Sequence, residues 1–415
     1  MKTLKNISTV LTVMGILVFT MIMSSCETED PVSIYDPDVT GNATPVVTTV
    51  VPDSNYNASN ITFSGVGVVR ITGENFSATP DYNNVFFDGL PGEVISASAT
   101  ELRVRVPDVV GDSIEVRVAV QGSFHFGDYA LPYKLTPAVK EIGGFDDLDQ
   151  LYSLACDTSE NLYVSSFGSP KIKILEVQPD SLKDVLFSTL TVSSTALKYG
   201  GNDMLYMTGG ALVYSMNRLD GTYAVTDWFI FGSTDLTKDL DFVDSTQAFL
   251  GMNKASGLGY VMSLDLENTT IDTAYAYDSL SIAAVRIFDN DLYVAGSYKI
   301  DGVSQAGTVW KNSISGTTLG TKELVVDLGD YPDYASAQIT AVTFSADGKM
   351  YLGLNSVSAI LVYDNGILAP FYDPILSPPT ADLTWGNGDY LYQLKTTRLN
   401  KINMVEAGAP YGGRY

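Results

Sequence analysis

The stretch that decides the fold is SADGKMYLGLNS, which runs from Ser345 to Ser356. It contains a turn signal, Asp347-Gly348, followed by a short apolar run around Met350-Tyr351. An Asp-Gly pair between apolar runs is typical of a β-hairpin turn. The architecture of the chain depends on whether this hairpin occurs once or belongs to a series.

The hairpin belongs to a series. Five further apolar–aromatic pairs follow a turn in the same way: Leu162-Tyr163, Leu205-Tyr206, Ala248-Phe249, Leu292-Tyr293 and Leu391-Tyr392. With Tyr351, the aromatic positions are 43, 43, 44, 58 and 41 residues apart. Repeats of roughly 40–50 residues with strand content are typical of propeller blades. A four-stranded blade cannot bury both of its faces alone and must stack on its neighbours, so six units predict a six-bladed β-propeller over residues 137–415.

The second strand of the repeat resembles that of the NHL and SMP-30-like propellers, which share a Gly-Asn-Leu-Tyr-Val pattern. Asn161-Leu162-Tyr163-Val164 matches this pattern best, and Asp291-Leu292-Tyr293-Val294 comes next. The resemblance implies a ring that presents a ligand site on one face, although the ligand is not constant within the family. Some similar propellers are lactonases, hydrolases or lyases that hold a metal through Glu, Asn and Asp.

The segment that precedes the propeller in the mature chain predicts a separate domain. Val68–Phe76, Val85–Gly89 and Thr100–Pro107 read as short strands between Gly, Asn and Pro turns, and the last alternates apolar and polar residues with period two. These segments resemble the IPT/TIG family of immunoglobulin-like domains, which implies a non-catalytic spacer at residues 45–136. The predicted fold class is therefore all-β, an Ig-like β-sandwich followed by a six-bladed β-propeller.

The N-terminus predicts a lipoprotein. Lys2 and Lys5 precede an apolar run, and Ser24-Ser25 precede Cys26, as in a secretory signal over residues 1–25. Met-Ser-Ser-Cys resembles the bacterial lipobox, in which Cys26 is lipidated; a plain signal peptide with an incidental cysteine is the alternative. The acidic run Glu27–Asp30 resembles the surface-export signal of Bacteroidota lipoproteins, and residues 26–44 read as a flexible tether. The sequence thus predicts an outer-membrane, lipid-anchored protein that faces the cell exterior.

Charge and cysteine content restrict the partners. The net charge is −24, which argues against nucleic acid and anionic lipid surfaces, because both favour basic patches. The membrane is therefore expected to be contacted through the lipid anchor only. One histidine, His125, excludes multi-histidine metal sites and is interpreted as part of a solvated strand face. Cys156 has no disulfide partner once Cys26 is lipidated and is expected to be a small buried side chain.

Charged residues at equivalent positions of the predicted inner strands are expected to gather at the ring axis. They are Lys198, Asp239, Asp241, Arg286 and Asp382. A set of mixed sign can bind a polar ligand through charge-assisted hydrogen bonds. The alternative is that these groups pair with each other and only hold the blades together. No cofactor is predicted, and the one metal left open is Ca²⁺, for which Asp239, Asp241 and Asp382 offer oxygen ligands.

The 58-residue interval places extra length in the fourth repeat. Ser297–Gly307 and Asp327–Ser336 are interpreted as long loops over one face of the ring, beside Arg286. Long loops on a rigid scaffold often carry binding residues. Tyr298, Tyr331 and Tyr334 lie in or next to these loops and are candidates for stacking on sugar rings.

The sequence leaves three classes of function open. The first is a surface protein that binds a polysaccharide or oligosaccharide on the propeller, with the IPT/TIG domain as spacer. The second is a propeller enzyme of the hydrolase, lactonase or lyase type, for which no catalytic residues are identified. The third is a protein-interaction scaffold with an outer-membrane protein as partner.

The sequence also predicts that Ala138–Phe145 supplies an outer strand to the last blade and so closes the ring.

Overall fold

The computed structural model describes residues 41–54, 60–168, 171–178, 181–183, 194–201, 203–217, 225–373 and 375–414. The predicted signal peptide, Cys26 and most of the tether lie outside these residues. Helical structure among the described residues is limited to two 3-10 turns, Pro80–Tyr82 and Leu328–Asp330. None of the helices in this part of the chain is long and apolar enough to cross a membrane.

Two compact units divide the chain. Among the described residues, the smaller consists of those up to Val50 together with Arg70–Val104 and Glu115–Leu131, and the larger consists of those within Val51–Val69, Arg105–Ile114 and from Pro132 onward. The domain limits predicted from the sequence, 1–25, 26–44, 45–136 and 137–415, stay predictions.

Nine strands precede the propeller. They are β1 (Val46–Pro52), β2 (Val68–Glu74), β3 (Asn83–Phe87), β4 (Leu90–Ala97), β5 (Glu101–Arg105), β6 (Gly111–Ile114), β7 (Val116–Val120), β8 (Gly127–Asp128) and β9 (Tyr133–Leu135). Seven form one sheet in the order β1-β2-β5-β4-β3-β7-β8, and β6 pairs with β9. In β5, Leu102 and Val104 are buried while their neighbours are not, as the period-two pattern predicts.

Twenty-five strands build the propeller. They are β10 (Val139–Ile142), β11 (Leu151–Cys156), β12 (Leu162–Gly168), β13 (Lys171–Gln178), β14 (Ser181–Lys183), β15 (Ala196–Gly200), β16 (Met204–Gly209), β17 (Leu212–Asn217), β18 (Val225–Ile230), β19 (Asp235–Phe242), β20 (Gln247–Lys254), β21 (Gly259–Asp265), β22 (Thr270–Tyr277), β23 (Leu280–Phe288), β24 (Asp291–Ile300), β25 (Val303–Ser315), β26 (Thr318–Leu319), β27 (Glu323–Asp327), β28 (Ile339–Phe344), β29 (Met350–Leu354), β30 (Ile360–Asp364), β31 (Ile367–Pro370), β32 (Asp382–Trp385), β33 (Tyr390–Leu394) and β34 (Leu399–Asn403).

These strands form six antiparallel blades. Blades 1, 2, 3 and 5 are β11–β14, β15–β18, β19–β22 and β28–β31, each in chain order from the inner strand outward. Blade 4 has β23-β24-β25-β26 with β27 also paired to β25, and blade 6 has the order β32-β33-β34-β10. All six repeated apolar–aromatic pairs lie in second strands, so the predicted six-bladed propeller is confirmed.

Ring closure by an early strand is also confirmed. β10 pairs with β34, with Val139 opposite Ile402 and Ile142 opposite Leu399. The last blade therefore contains a strand that precedes the first blade in sequence. This arrangement covers the edge of β34, which would otherwise leave unpaired backbone groups.

The core of the propeller lies between the blades. One cluster joins Tyr206 and Val213 of blade 2 to Leu240 and Leu250 of blade 3, and comparable clusters fill the other junctions. Because each blade is covered on both faces, its second strand is mostly buried, as in β29, where every residue is buried. We call the face at which the inner strands begin the start face, and the face at which they end the end face.

Candidate functional site

Three aspartates of the predicted axial set connect neighbouring blades. Each carboxylate accepts a hydrogen bond from a backbone N–H of the next inner strand around the ring. The bonds run from Val285 N to Asp239 Oδ2 (2.9 Å), from Ile287 N to Asp241 Oδ2 (2.8 Å) and from Leu154 N to Asp382 Oδ2 (2.9 Å). An inner strand has a free edge towards the axis, and its N–H groups need such acceptors.

Lys198 of blade 2 joins two of these aspartates electrostatically. Its Nζ lies 3.1 Å from Asp239 Oδ1, and the two side chains are 14% and 10% exposed. Burial opposes the ammonium charge, but Asp239 and Asp382 outweigh it and raise the pKa of Lys198. Burial raises the pKa of Asp382 to about 6, against the opposing effect of Lys198. The three groups thus form one charged cluster that water still reaches.

Arg286 and Asp241 form a second, fully buried pair. Arg286 is 1% exposed, and its Nη1 donates to Asp241 Oδ2 at 2.6 Å and to Ile287 O at 2.9 Å. Its Nη2 donates to Pro410 O at 2.8 Å, and its Nε is the one buried donor of the guanidinium without a partner among the described residues. Arg286 therefore holds the protein together at the axis, and its guanidinium is not accessible to a ligand.

The C-terminal tail, Val405–Arg414, explains why Arg286 is buried. Ala409 N donates to Phe344 O at 2.9 Å, and Ala346 N donates to Ala407 O at 2.8 Å, which fixes the tail to blade 5. Arg414 Nε donates to Cys156 O of blade 1 at 2.8 Å. The tail thus crosses the end face, where the inner strands finish.

Two glycines let the tail lie directly on blades 2 and 3. A Cβ on Gly412 would lie 1.9 Å from Phe242 O, and a Cβ on Gly413 would lie 2.2 Å from Tyr199 O. Tyr411 completes the contacts because its hydroxyl lies 3.0 Å from Thr343 Oγ1 of blade 5 and 3.5 Å from Trp385 N of blade 6. With Arg286 in blade 4, the tail touches every blade.

The tail gives the ring a closed end. Lys198, Asp239 and Asp382 lie on the other side of it, and we call these three residues the axial cluster. Since the end face is crossed by the tail, we infer that solutes reach the axial cluster from the start face. The sequence carries no signal for this role of the tail, because its residues have no periodicity and its contacts are spread over all six blades.

The extra length of blade 4 differs from the prediction. Ser297–Gly307 is not a free loop: β24 and β25 simply continue as a long hairpin with a turn at Asp301-Gly302. In the register of β23 and β24, Tyr298 lies opposite Leu280, the first residue of β23. Leu280 is six residues before Arg286 in that strand. At ~3.3 Å per residue this is about 20 Å along the strand, so the hairpin and Arg286 lie at opposite ends of blade 4.

The three candidate tyrosines do not converge on the axial cluster. Tyr298 packs with the blade 3–4 cluster and lies edge-on to Trp310, with ring centres 6.4 Å apart. Lys322 Nζ lies 4.4 Å from the centre of the Trp310 ring and 3.3 Å from the Tyr298 hydroxyl. Tyr331 and Tyr334 pack on the other side of blade 4, against the blade 4–5 cluster. A ligand in the axial cluster would therefore need other stacking groups.

The remaining candidates are placed as follows. Cys156 is buried, and burial raises the pKa of its thiol to about 12. His125 lies in an exposed turn that follows β7. Within the described ranges, no group of three or more His, Cys, Asp or Glu side chains is placed to share a metal ion, so Asp239, Asp241 and Asp382 do not form one.

Comparison with known proteins identifies one domain family. Residues 45–133 match the IPT/TIG domain. No curated protein sequence matches the chain significantly.

Solved structures share the fold along most of the chain. An auxiliary nutrient binding protein from Bacteroides thetaiotaomicron is 11% identical, with 89% of this chain and 98% of that chain covered and a TM-score of 0.50. A putative phosphatase from the same organism is 12% identical, with 91% and 98% covered and a TM-score of 0.54. A gluconolactonase from Xanthomonas campestris is 12% identical, with 63% and 88% covered and a TM-score of 0.49. At these identities the likeness to the first two structures concerns the fold alone.

Proposed function

We propose that this protein is a cell-surface lipoprotein that binds a polar ligand, an oligosaccharide or polysaccharide, in the propeller, with the IPT/TIG domain as a spacer. The observation that carries the proposal is the axial cluster. Lys198, Asp239 and Asp382 converge at the centre of a ring whose other end is crossed by the tail. Convergent polar groups with perturbed pKa values are typical of functional sites.

The chemistry of the cluster suits hydroxyl groups. A carboxylate offers about four acceptor positions. Asp382 uses one on each oxygen, for Leu383 N and Leu154 N, whereas Asp239 uses three, for Leu240 N and Lys198 on Oδ1 and for Val285 N on Oδ2. Lys198 has three donors and one neighbouring carboxylate oxygen within salt-bridge distance. Sugar hydroxyls donate to carboxylates and accept from an ammonium group, so a neutral sugar can use the remaining capacity of both.

The global charge and the fold are consistent with this ligand class. A net charge of −24 disfavours polyanions, including nucleic acid and acidic glycans, through long-range repulsion. The similar structure described as an auxiliary nutrient binding protein has a function of the same kind, although the likeness itself concerns the fold.

Calorimetry with neutral oligosaccharides tests the proposal. The protein without its first 26 residues is titrated with maltoheptaose, cellohexaose, xylohexaose and mannohexaose. Lys198→Met keeps the apolar stem and removes the charge, so it should weaken binding by about tenfold or more, as expected for a lost charged hydrogen bond. Lys401→Met, at a lysine stacked on Tyr390 in the outer part of blade 6, is the matched control. Equal affinity of the two variants for the oligosaccharides would show that Lys198 of the axial cluster does not bind them.

An enzyme is the second candidate, and one observation favours it. Asp382 has a pKa raised to about 6 beside an ammonium group, and a carboxyl group poised near neutral pH is suited to general acid–base catalysis. Product analysis after prolonged incubation with the same oligosaccharides distinguishes the two. Product formation that disappears in Asp382→Asn would support the enzyme, whereas unchanged oligosaccharides support a binding protein.

A further inference from the structure

The end face carries a cavity that is separate from the axial cluster. It has a volume of about 700 Å³ and is formed by the turns after the inner strands of blades 3, 4 and 5 together with the tail. Its chemistry is set by Phe288, Asp289, Asp347, Pro410 and Tyr411. Two glycines, Gly348 and Gly412, also line it and leave it unfilled by side chains of their own.

Phe288 provides a fixed aromatic surface in this cavity. One face of its ring stacks on Phe344, with centres 4.5 Å apart and planes 7° from parallel. The ring remains half-buried, and Gly348 opposite it has φ +94°, where a side chain is disfavoured. A Cβ on Gly348 would lie 3.6 Å from Phe288 Cζ, so a larger residue there would cover the ring.

Two carboxylates flank the aromatic surface, and they differ in their hydrogen bonds and salt bridges. Asp347 pairs with Lys349 at 2.9 Å, and the Ser345 hydroxyl and Lys349 lower its pKa. Asp289 is exposed and has no hydrogen bond or salt bridge to any part of the chain that the structure describes. The cavity therefore combines an apolar platform with a charged acceptor that is available to a ligand.

We propose that this cavity is a second ligand site, which takes a neutral pyranose ring. The apolar face of the sugar packs on Phe288, and its hydroxyls donate to Asp289 and Asp347. Aromatic stacking and charge-assisted hydrogen bonds are the two interactions required. Anionic ligands are disfavoured by both carboxylates. The Tyr411 ring is already engaged by Arg286 and Arg414, whose guanidinium carbons lie over it at 3.7 and 4.5 Å.

Occupancy of this site would stabilise the tail. Ala409 to Gly412 form one wall of the cavity, and the opposite wall belongs to the blades. A sugar that touches both walls binds the closed tail better than an open one. By linkage it must then reduce opening of the tail in proportion to its occupancy.

Hydrogen–deuterium exchange of the tail amides is the test. The probes are the neutral oligosaccharides maltoheptaose, cellohexaose, xylohexaose and mannohexaose, added to the chain that lacks its first 26 residues. We expect at least one to slow exchange in the tail severalfold. Phe288→Ala and Asp289→Asn should each weaken this protection about fivefold or more. Phe167→Ala, at an exposed phenylalanine beside the start face, is the matched control and should leave it unchanged.

Three outcomes would overturn the site, and the first two can be told from failure of the proposed function. Protection that persists in Phe288→Ala and Asp289→Asn but disappears in Lys198→Met assigns the sugar to the axial cluster alone. Binding that calorimetry detects without slower deuterium exchange of the tail amides would also assign the sugar to the axial cluster alone. Protection that depends on Phe288 and not on Lys198 supports the end-face site and contradicts the axial one. Absence of binding in both measurements refutes both.

Discussion

The guanidinium carbon of Arg286 lies 3.7 Å from the centre of the Tyr411 ring, so a residue of blade 4 holds the C-terminal tail against the axis. The same guanidinium forms a 2.6 Å ion pair with Asp241 of blade 3. One side chain therefore links two blades and the tail, and it is buried in doing so.

Replacement of Arg286 should destabilise the propeller. Arg286→Met leaves Asp241 buried without its countercharge, which costs about 3–5 kcal/mol in comparable pairs. Denaturant unfolding should show this loss, with part of it restored in the double variant Arg286→Met/Asp241→Asn. Arg398→Met, which removes a more exposed pair with Asp147, should cost less than about 1 kcal/mol. Equal effects of the two arginine variants would contradict the structural role of Arg286.

A methyl group at Gly412 should displace the tail. Gly412→Ala places a carbon 1.9 Å from Phe242 O, and the backbone must move to relieve this contact. We expect a loss of about 1–3 kcal/mol, as for overpacked sites, and faster deuterium exchange at the tail amides. Gly388→Ala, where a Cβ meets nothing within 4 Å, is the control. Unchanged exchange in Gly412→Ala would show that the tail is not seated on blade 3.

The closing strand β10 should contribute strongly to stability. Ile142 is buried in the cluster between blades 6 and 1, so Ile142→Ala should cost about 2–5 kcal/mol. Lys140→Ala, on the exposed side of the same strand, should have a small effect. Thermal unfolding of the two variants checks this, and a similar melting temperature for both would mean that β10 does not close the ring in solution.

Asp382 should introduce a pH dependence below neutrality. Its pKa is raised from 3.8 in the unfolded chain to about 6 in the folded protein, so the folded state binds the proton more tightly. The contribution of this group to the free energy of unfolding is present at pH 4 and is lost as the pH rises through about 6. The loss is at most about 3 kcal/mol. Asp382→Asn does not titrate. Its stability relative to the native protein should therefore rise between pH 4 and 7, and a constant difference would contradict the raised pKa.

Lipidation is predicted to depend on Cys26. Cys26→Ala should abolish incorporation of radiolabelled palmitate and leave an unprocessed precursor, since the thiol is the acylated atom. Cys156→Ala should label normally because that thiol lies in the propeller core. Labelling that survives Cys26→Ala would refute the lipobox interpretation.

Local patterns were sufficient for the blades. The hairpin pairs such as Met350-Tyr351 recur at intervals of 41 to 44 residues, with one of 58, because every blade places an apolar–aromatic pair at the same depth between its neighbours. The Ala138–Phe145 segment was assigned correctly to the last blade for a similar reason: blade 6 otherwise lacked a fourth strand. The axial positions of Lys198, Asp239 and Asp382 followed from the alternation of the inner strands.

The position of the blade 4 tyrosines could not be obtained in this way. Extra residues in a repeat lengthen either a loop or the strands beside it, and the Asp301-Gly302 pair within Ser297–Gly307 is a hairpin signal that the loop interpretation did not use. Tyr298 lies in β24, the second strand of blade 4, and packs against the blade 3–4 cluster. Tyr331 follows the 3-10 turn Leu328–Asp330 and packs against the blade 4–5 cluster, so the side of the blade on which each ring lies depends on packing between blades.

By itself, the sequence determined the fold class, the number of blades and the strand that closes the ring, because these depend on a periodic pattern of apolar residues that each blade repeats. Only the tertiary structure decided that the tail crosses the end face, that Arg286 and Asp241 hold it there, and that a cavity lies beside Phe288. These features depend on contacts between residues more than a hundred positions apart, such as Arg286 with Pro410 and Arg414 with Cys156. No local pattern encodes such contacts, since each is made once and by a different pair of residue types.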